Sequence, residues 1–116
     1  MADPKSIITK WVNFCFVCGK PRQHMHHVLF GSKHKLADED LLLMPLCQYH
    51  HQDSVNGVHH NKGMLTISQA LAQACWQRQY LAEKLASDEV LGHQSAEDWL
   101  QESADAFKDR YGEYYM

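Results

Sequence analysis

The sequence predicts a small α+β protein, with a zinc-stapled core over residues 1–62 and a helical extension over residues 63–116. Three observations predict it. Nine of the 116 residues are histidine, and eight of the nine fall between His24 and His60. Three of the four cysteines, Cys15, Cys18 and Cys47, lie in or beside that stretch. Beyond residue 63 apolar residues recur at three- and four-residue steps, the period of an amphipathic helix. Packing alone does not call for so much imidazole in so short a segment, so metal chemistry is the first hypothesis.

The elements follow in order. Ile7, Ile8, Trp11, Val12 and Phe14 form an apolar lead-in that can pack on a small core or make a short helix or strand. Residues 25–30 read as a short strand. Residues 31–40 read as a polar loop carrying Lys33, His34 and Lys35. Residues 41–46 are an apolar run whose Pro45 suits a strand edge or end. A short helix is expected from Gln48, ending at Asn56-Gly57. A longer helix is expected over residues 66–86, capped by Thr66 or Ser68, with Ile67, Leu71, Ala74, Cys75, Leu81 and Leu85 on its apolar face. Residues 87–92 read as a break, and His93 belongs to the linker. Ser95 then starts a second helix, with Asp98 three residues on as a capping box. Trp99, Leu100, Phe107 and Tyr111 supply its apolar content, and Gly112 is its stop.

Hydrophobic residues make up 45% of the chain and charged residues 22%, a globular composition. No apolar run approaches the roughly 18–20 residues of a membrane span. No secretory pattern is visible, so a secreted disulfide scaffold does not fit and a cytoplasmic location is expected. The net charge of −3 is unevenly spread. Residues 1–62 hold seven Lys/Arg against five Asp/Glu, and residues 63–116 hold four against nine. The first half can approach a phosphate backbone and the second is repelled by it. The acidic positions Glu97, Asp98, Glu102, Asp105, Asp109 and Glu113 read first as a solvated helix face. A surface that mimics DNA or docks on a partner is the rival reading.

Cys15-Phe-Val-Cys18-Gly19 is a CxxC with a glycine turn, the form that aims two thiolates at one ion. No thioredoxin-like βαβ pattern surrounds it. Cys47-Gln-Tyr-His50 supplies a second pair. Together Cys15, Cys18, Cys47 and His50 make a CxxC…CxxH set for a closed structural Zn²⁺ site. Binding there can contribute on the order of 10 kcal/mol to folding. Cys75 falls mid-helix on the apolar side and reads as a small buried hydrophobe.

Three adjacent histidine pairs remain: His26-His27, His50-His51 and His59-His60. Helical neighbours point about 100° apart, so His50 and His51 serve different ions. Here the block resembles the HNH endonuclease superfamily, the ββα-metal or His-Me finger fold. The resemblance rests on Met25-His26-His27-Val28, on Pro45-Leu46-Cys47-Gln48-Tyr49-His50-His51, and on Gly57-Val58-His59-His60-Asn61. It extends to His26-His27-Val28-Leu29-Phe30-Gly31, similar to an element of small phage-type members. It covers residues 15–62.

The resemblance implies a phage or prophage DNA endonuclease that hydrolyses phosphodiesters with one divalent ion, Mg²⁺, Mn²⁺, Ni²⁺ or Zn²⁺. It assigns His27 as general base, and His26 and His51 as ligands of the catalytic ion. An imidazole near pKa 6.5 suits a base at neutral pH. The family's middle Asn has no Asn counterpart, and among Asp38, Glu39 and Asp40 the last directly precedes the apolar strand and is taken as its replacement. His59 is the third ligand if the chain reverses at Asn56-Gly57. The eight residues from His51 would otherwise span about 12 Å of helix. Without that break Asn56 becomes the candidate, and His60 stands behind both. Lys33, His34 and Lys35 are candidate phosphate contacts, while His24 is expected in solvent. The alternative is an inactive zinc-binding module of the same fold that binds nucleic acid or a protein. Tyr111, Tyr114 and Tyr115 suit either a cover over the core or a dimer contact through the C-terminal helices.

Overall fold

A computed structural model describes residues 5–29, 33–53, 57–86 and 95–115. Two short strands and four helices are present: β1 (His24–His27), α1 (His34–Glu39), β2 (Leu43–Leu46), α2 (Gln48–Gln52), α3 (Lys62–Ala86) and α4 (Ala96–Tyr111). The strands pair antiparallel, with His24 opposite Leu46 and His27 opposite Leu43. β2 is buried along its whole length, as its Leu-Met-Pro-Leu sequence requires. Pro45 takes no ladder donor role, and its carbonyl accepts from the Phe16 amide at 2.7 Å, which ties residues 13–22 to the sheet.

Residues 13–22 form a small turn-back. The Cys15 amide donates to Lys20 O at 2.6 Å, Gly19 donates back to Cys15 O at 2.9 Å, and Phe14 bridges Pro21. Gly19 has φ 78°, a left-handed conformation that places glycine at this turn.

The segment expected as a polar loop contains α1. Its helix is six residues long with no side-chain N-cap bond, too short to persist alone. Its buried Ala37 and half-buried Leu36 face the core, and its far end is stapled by α4. Tertiary contacts that periodicity could not show therefore make this helix. It closes on Leu41, a non-glycine residue at φ 59°.

α3 begins at Lys62, four residues before the expected start. Asn61 Oδ1 accepts from the Met64 amide at 3.0 Å, so Asn61 caps the helix. Thr66 and Ser68 instead bond back to the carbonyls of Lys62 and Leu65 inside it. The residue 62/63 division thus falls in the first turn of α3. α4 follows the sequence reading closely. Ser95 and Asp98 form a full capping box, and Gly112 ends the helix at φ 85°.

The α3 face turned inward differs from the one expected. Ile67 and Leu85 are exposed, and the buried positions are Ser68, Ala72, Gln73, Cys75 and Gln77. Their polar groups are satisfied along the α3–α4 seam. Gln73 donates to Gln77 Oε1 at 2.7 Å, and Gln77 donates to Ser103 Oγ at 2.9 Å. Tyr115 N closes the row by donating to Gln73 Oε1 at 2.6 Å. A seam of paired amides reads as polar in sequence, which is why the apolar recurrence misplaced it.

Phe107 is fully buried and packs on Trp76, Tyr111 and Tyr115. Leu100 on the same helix is 57% exposed, against expectation. One core cluster joins Ile8, Cys15, Val28, Leu46 and Val58 to Ala72, Cys75, Phe107 and Tyr111, so both halves of the chain share it. Among the described residues no helix is long and apolar enough to cross a membrane. Asn56, Gly31, the 87–92 break and His93 lie outside the described residues.

Candidate metal centres and the histidine cluster

Two groups of metal-type ligands stand on either side of α2. In the first, Cys15, Cys18, Cys47 and His50 converge. Cys18 Sγ lies 3.7 Å from Cys47 Sγ, and His50 Nδ1 lies 3.4 Å from Cys47 Sγ and 3.7 Å from Cys15 Sγ. A tetrahedral zinc with bonds near 2.3 Å to sulfur and 2.0–2.1 Å to nitrogen requires edges of about 3.8 Å (S–S) and about 3.6 Å (S–N). The observed separations fit those edges, so these residues can bind a metal such as zinc.

The local backbone favours thiolate at Cys15, whereas at Cys18 the pull of the Lys20 backbone is outweighed by desolvation and the Cys15 and Cys47 sulfurs, which push its thiol up. Burial opposes charge on Cys15, but amides around Cys47, Cys18 and Val17 aim at its sulfur and outweigh it, bringing the pKa down to about 6. Cys75 is buried elsewhere in the core, and desolvation pushes its thiol up. It stays an inert packing group, as expected.

The second group is His26, His51 and His59. β1 brings His26 inward with 3% exposure. α2 carries His50 toward the cysteines and His51, next in sequence, to this second group. The break expected between His51 and His59 is present, although Asn56 lies outside the described residues. α2 stops at Gln52, Gly57 N donates to Asp53 O at 3.0 Å and Val58 N to His50 O at 2.8 Å. His59 Nε2 thereby comes 3.0 Å from His51 Nε2. The three ligand nitrogens lie within 4.8 Å of one another. A tetrahedral edge between two imidazole nitrogens is about 3.3 Å, so ring shifts of about an ångström close the set on one ion.

The protonation state suits a ligand set. Burial holds the pKa of His26 down to about 3, reinforced by His59, His51 and His27. Burial holds His51 down to about 4, with His59 and His24 adding to it. His59 is lowered by burial and by His60. These imidazoles are therefore neutral at pH 7, with lone pairs for a cation. Among the described residues three side chains converge here, which would leave coordination positions open, unlike the four-ligand group.

His27 points away from this group. Side chains alternate along a strand, so His24 and His26 share one face and His27 takes the other. The rings agree: His24 and His26 both lie about 5 Å from the His51 ring. His27 instead stacks on His34, with centroids 3.8 Å apart, and its Nε2 lies 3.2 Å from Asp38 Oδ1.

The other site candidates lie outside the two groups. Asp40 is tied to the later helices. Its carboxylate accepts from Arg110 Nε and Nη2, Trp76 Nε1 and Tyr111 Oη at 2.6–2.9 Å. It fastens the end of α1 to α3 and α4, and Asp38 is the carboxylate beside His27. Lys33 pairs with Glu113 at 2.6 Å and lies over the Tyr115 ring, and Glu113 raises its pKa. His34 stacks on His27 and is exposed, as is Lys35. His24 is half-buried rather than in solvent, and donates to Gln48 Oε1 at 2.7 Å. Sequence reading missed Asp38 and His34 as a pair because their i, i+4 spacing matters only on a helix, and that segment read as loop. The terminal tyrosines turn inward or along α4: Tyr111 reaches Asp40, Tyr115 packs on Phe107, and Tyr114 donates to Asp105.

No protein-family model, curated protein or solved structure matches the chain. The reading of function therefore rests on its own residues.

Proposed function

We propose that the chain is a metal-dependent endonuclease of HNH type, of phage or prophage character, acting on DNA. The observation that carries this reading is the pairing of a closed Cys₃His group with an open three-histidine group, joined by one short helix that gives His50 to the first and His51 to the second. A structural ion needs four protein ligands, whereas a catalytic ion needs vacant positions for water and substrate. The resemblance of residues 15–62 to that superfamily supports the same division.

In this reading His26, His51 and His59 hold a divalent ion, and Cys15, Cys18, Cys47 and His50 hold zinc. The divalent ion supplies charge stabilisation at the scissile phosphate and the leaving oxygen. His27 takes the proton of the attacking water. Its neighbour in sequence, His26, is committed to the ion through the opposite face of β1, which keeps ligand and base distinct. Lys33, His34 and Lys35, at the start of α1, are the candidate phosphate contacts.

Cleavage of supercoiled plasmid in Mg²⁺, Mn²⁺, Ni²⁺ or Zn²⁺ tests the proposal. The wild-type chain is expected to nick or linearise it with at least one ion. His27→Ala is expected to abolish cleavage while keeping the fold and bound zinc. Full activity in that variant overturns the base assignment. Inactivity of the wild type with every ion, with zinc retained, favours a zinc-binding module without catalysis.

A further inference from the structure

We infer that Asp38 is a positioning residue for His27, working with His34 from a helix that α4 holds in place. The inference rests on the proposed role of His27.

Asp38 and His34 stand four residues apart on α1, so both side chains lie on one helical face. That face meets β1 at His27. Asp38 Oδ1 lies 3.2 Å from His27 Nε2, and the His34 ring stacks on the His27 ring at 3.8 Å with a 33° tilt. A carboxylate only accepts hydrogen bonds. When the His27 ring carries a single proton, the contact with Asp38 therefore places it on Nε2, donated to the carboxylate, and leaves the lone pair on Nδ1. The stacked His34 ring opposes the ring flip that would exchange the two nitrogens. A base acts only when the correct nitrogen carries the lone pair, so this contact selects the working tautomer.

The helix that carries the pair cannot hold itself, being six residues long and uncapped by a side chain. It is gripped at both ends by the end of α4. Lys33 pairs with Glu113 at 2.6 Å on one side, and Arg110 reaches Glu39 and Asp40 on the other. The acidic extension thus acts on His27 through α1, without touching it.

The test uses the full-length, zinc-loaded chain with ¹⁵N-labelled histidine. Long-range ¹H–¹⁵N spectra at pH 8 read the tautomer of each ring, and plasmid cleavage is followed in parallel. In the wild type His27 is expected as the Nε2–H tautomer. Asp38→Ala is expected to give a mixture of tautomers and to lower kcat about tenfold or more, with KM little changed. Asp38→Asn keeps an acceptor oxygen and is expected to restore most of both. His34→Ala is expected to keep the tautomer but broaden the ring signals. An Nδ1–H tautomer in the wild type, or an unchanged tautomer in Asp38→Ala, overturns the inference whether or not the chain cuts DNA. A shifted tautomer with unchanged kcat overturns it as well. A wild type that cuts no DNA defeats the endonuclease reading, and with it the role given to His27, while the spectra still show whether Asp38 sets the tautomer.

Discussion

Asp40→Ala probes the staple between the half that carries the Cys/His groups and the helical extension. The Asp40 carboxylate is 17% exposed and accepts from three side chains on two other helices. Hydrogen bonds to charged groups contribute about 1.5–3 kcal/mol each when shielded. The Arg110 guanidinium is 34% exposed, so its two contacts together are discounted to about 1 kcal/mol. The Tyr111 and Trp76 contacts lie on the inner side, and removing the acceptor leaves both donors short of a partner. The contributions are not additive, and the expected loss is about 3–5 kcal/mol. Asp40→Asn keeps one acceptor oxygen and is expected to lose roughly half as much. Urea unfolding of the zinc-saturated protein measures both, with the midpoint shifting and the slope unchanged. A double-mutant cycle with Arg110→Ala should give a coupling near 1 kcal/mol. A loss below about 1 kcal/mol in Asp40→Ala would refute the staple, because a solvated loop aspartate behaves that way.

The remaining predictions concern the metal groups. Cys15→Ala or Cys47→Ala is expected to lower bound zinc by one per chain and to leave the protein largely unfolded at 25 °C, read by metal analysis and circular dichroism. Gly57→Ala has no space for its Cβ, which would lie 2.5 Å from Asp53 N and 2.7 Å from Asp53 O. The backbone must shift at about 1–3 kcal/mol, weakening metal binding at the three-histidine group roughly tenfold to a hundredfold in calorimetry while the Cys₃His zinc stays. The lowered pKa values of His26 and His51, about 3 and about 4, mean these ligands have no protons to release at neutral pH. Ni²⁺ affinity at this group should therefore stay nearly flat between pH 8 and pH 6 in the zinc-loaded protein. A drop of more than tenfold over that range would show imidazoles titrating near their ordinary 6.5.

The parts of the molecule legible in sequence were those set by local chemistry. The Cys15-x-x-Cys18 and Cys47-x-x-His50 spacings bring together side chains that can bind one ion, because turn and helix geometry leave little freedom. The break between His51 and His59 was readable because two ligands of one ion cannot stand eight residues apart on one unbroken helix. Ser95, Asp98 and Gly112 were readable because caps depend on a few adjacent residues. What stayed hidden depends on distant partners. α1 exists because Arg110 and Glu113, some seventy to eighty residues later, hold its ends. Asp38 could not be preferred over Asp40 without that helix, since only its register turns Asp38 to His27 and Asp40 to Tyr111. The buried Gln73–Gln77–Ser103 row was hidden for the same reason: each amide looks like surface until its partner is known.

In the proposed function the three-histidine group holds an ion that the chain uses to cut phosphodiesters. Plasmid cleavage by zinc-loaded wild type and His51→Ala, titrated with Mn²⁺, tests it most directly. The account predicts saturable Mn²⁺-dependent cleavage in the wild type and its loss in His51→Ala, with the Cys₃His zinc retained in both. Equal cleavage by the two proteins, or none by the wild type with the group demonstrably filled, would contradict it.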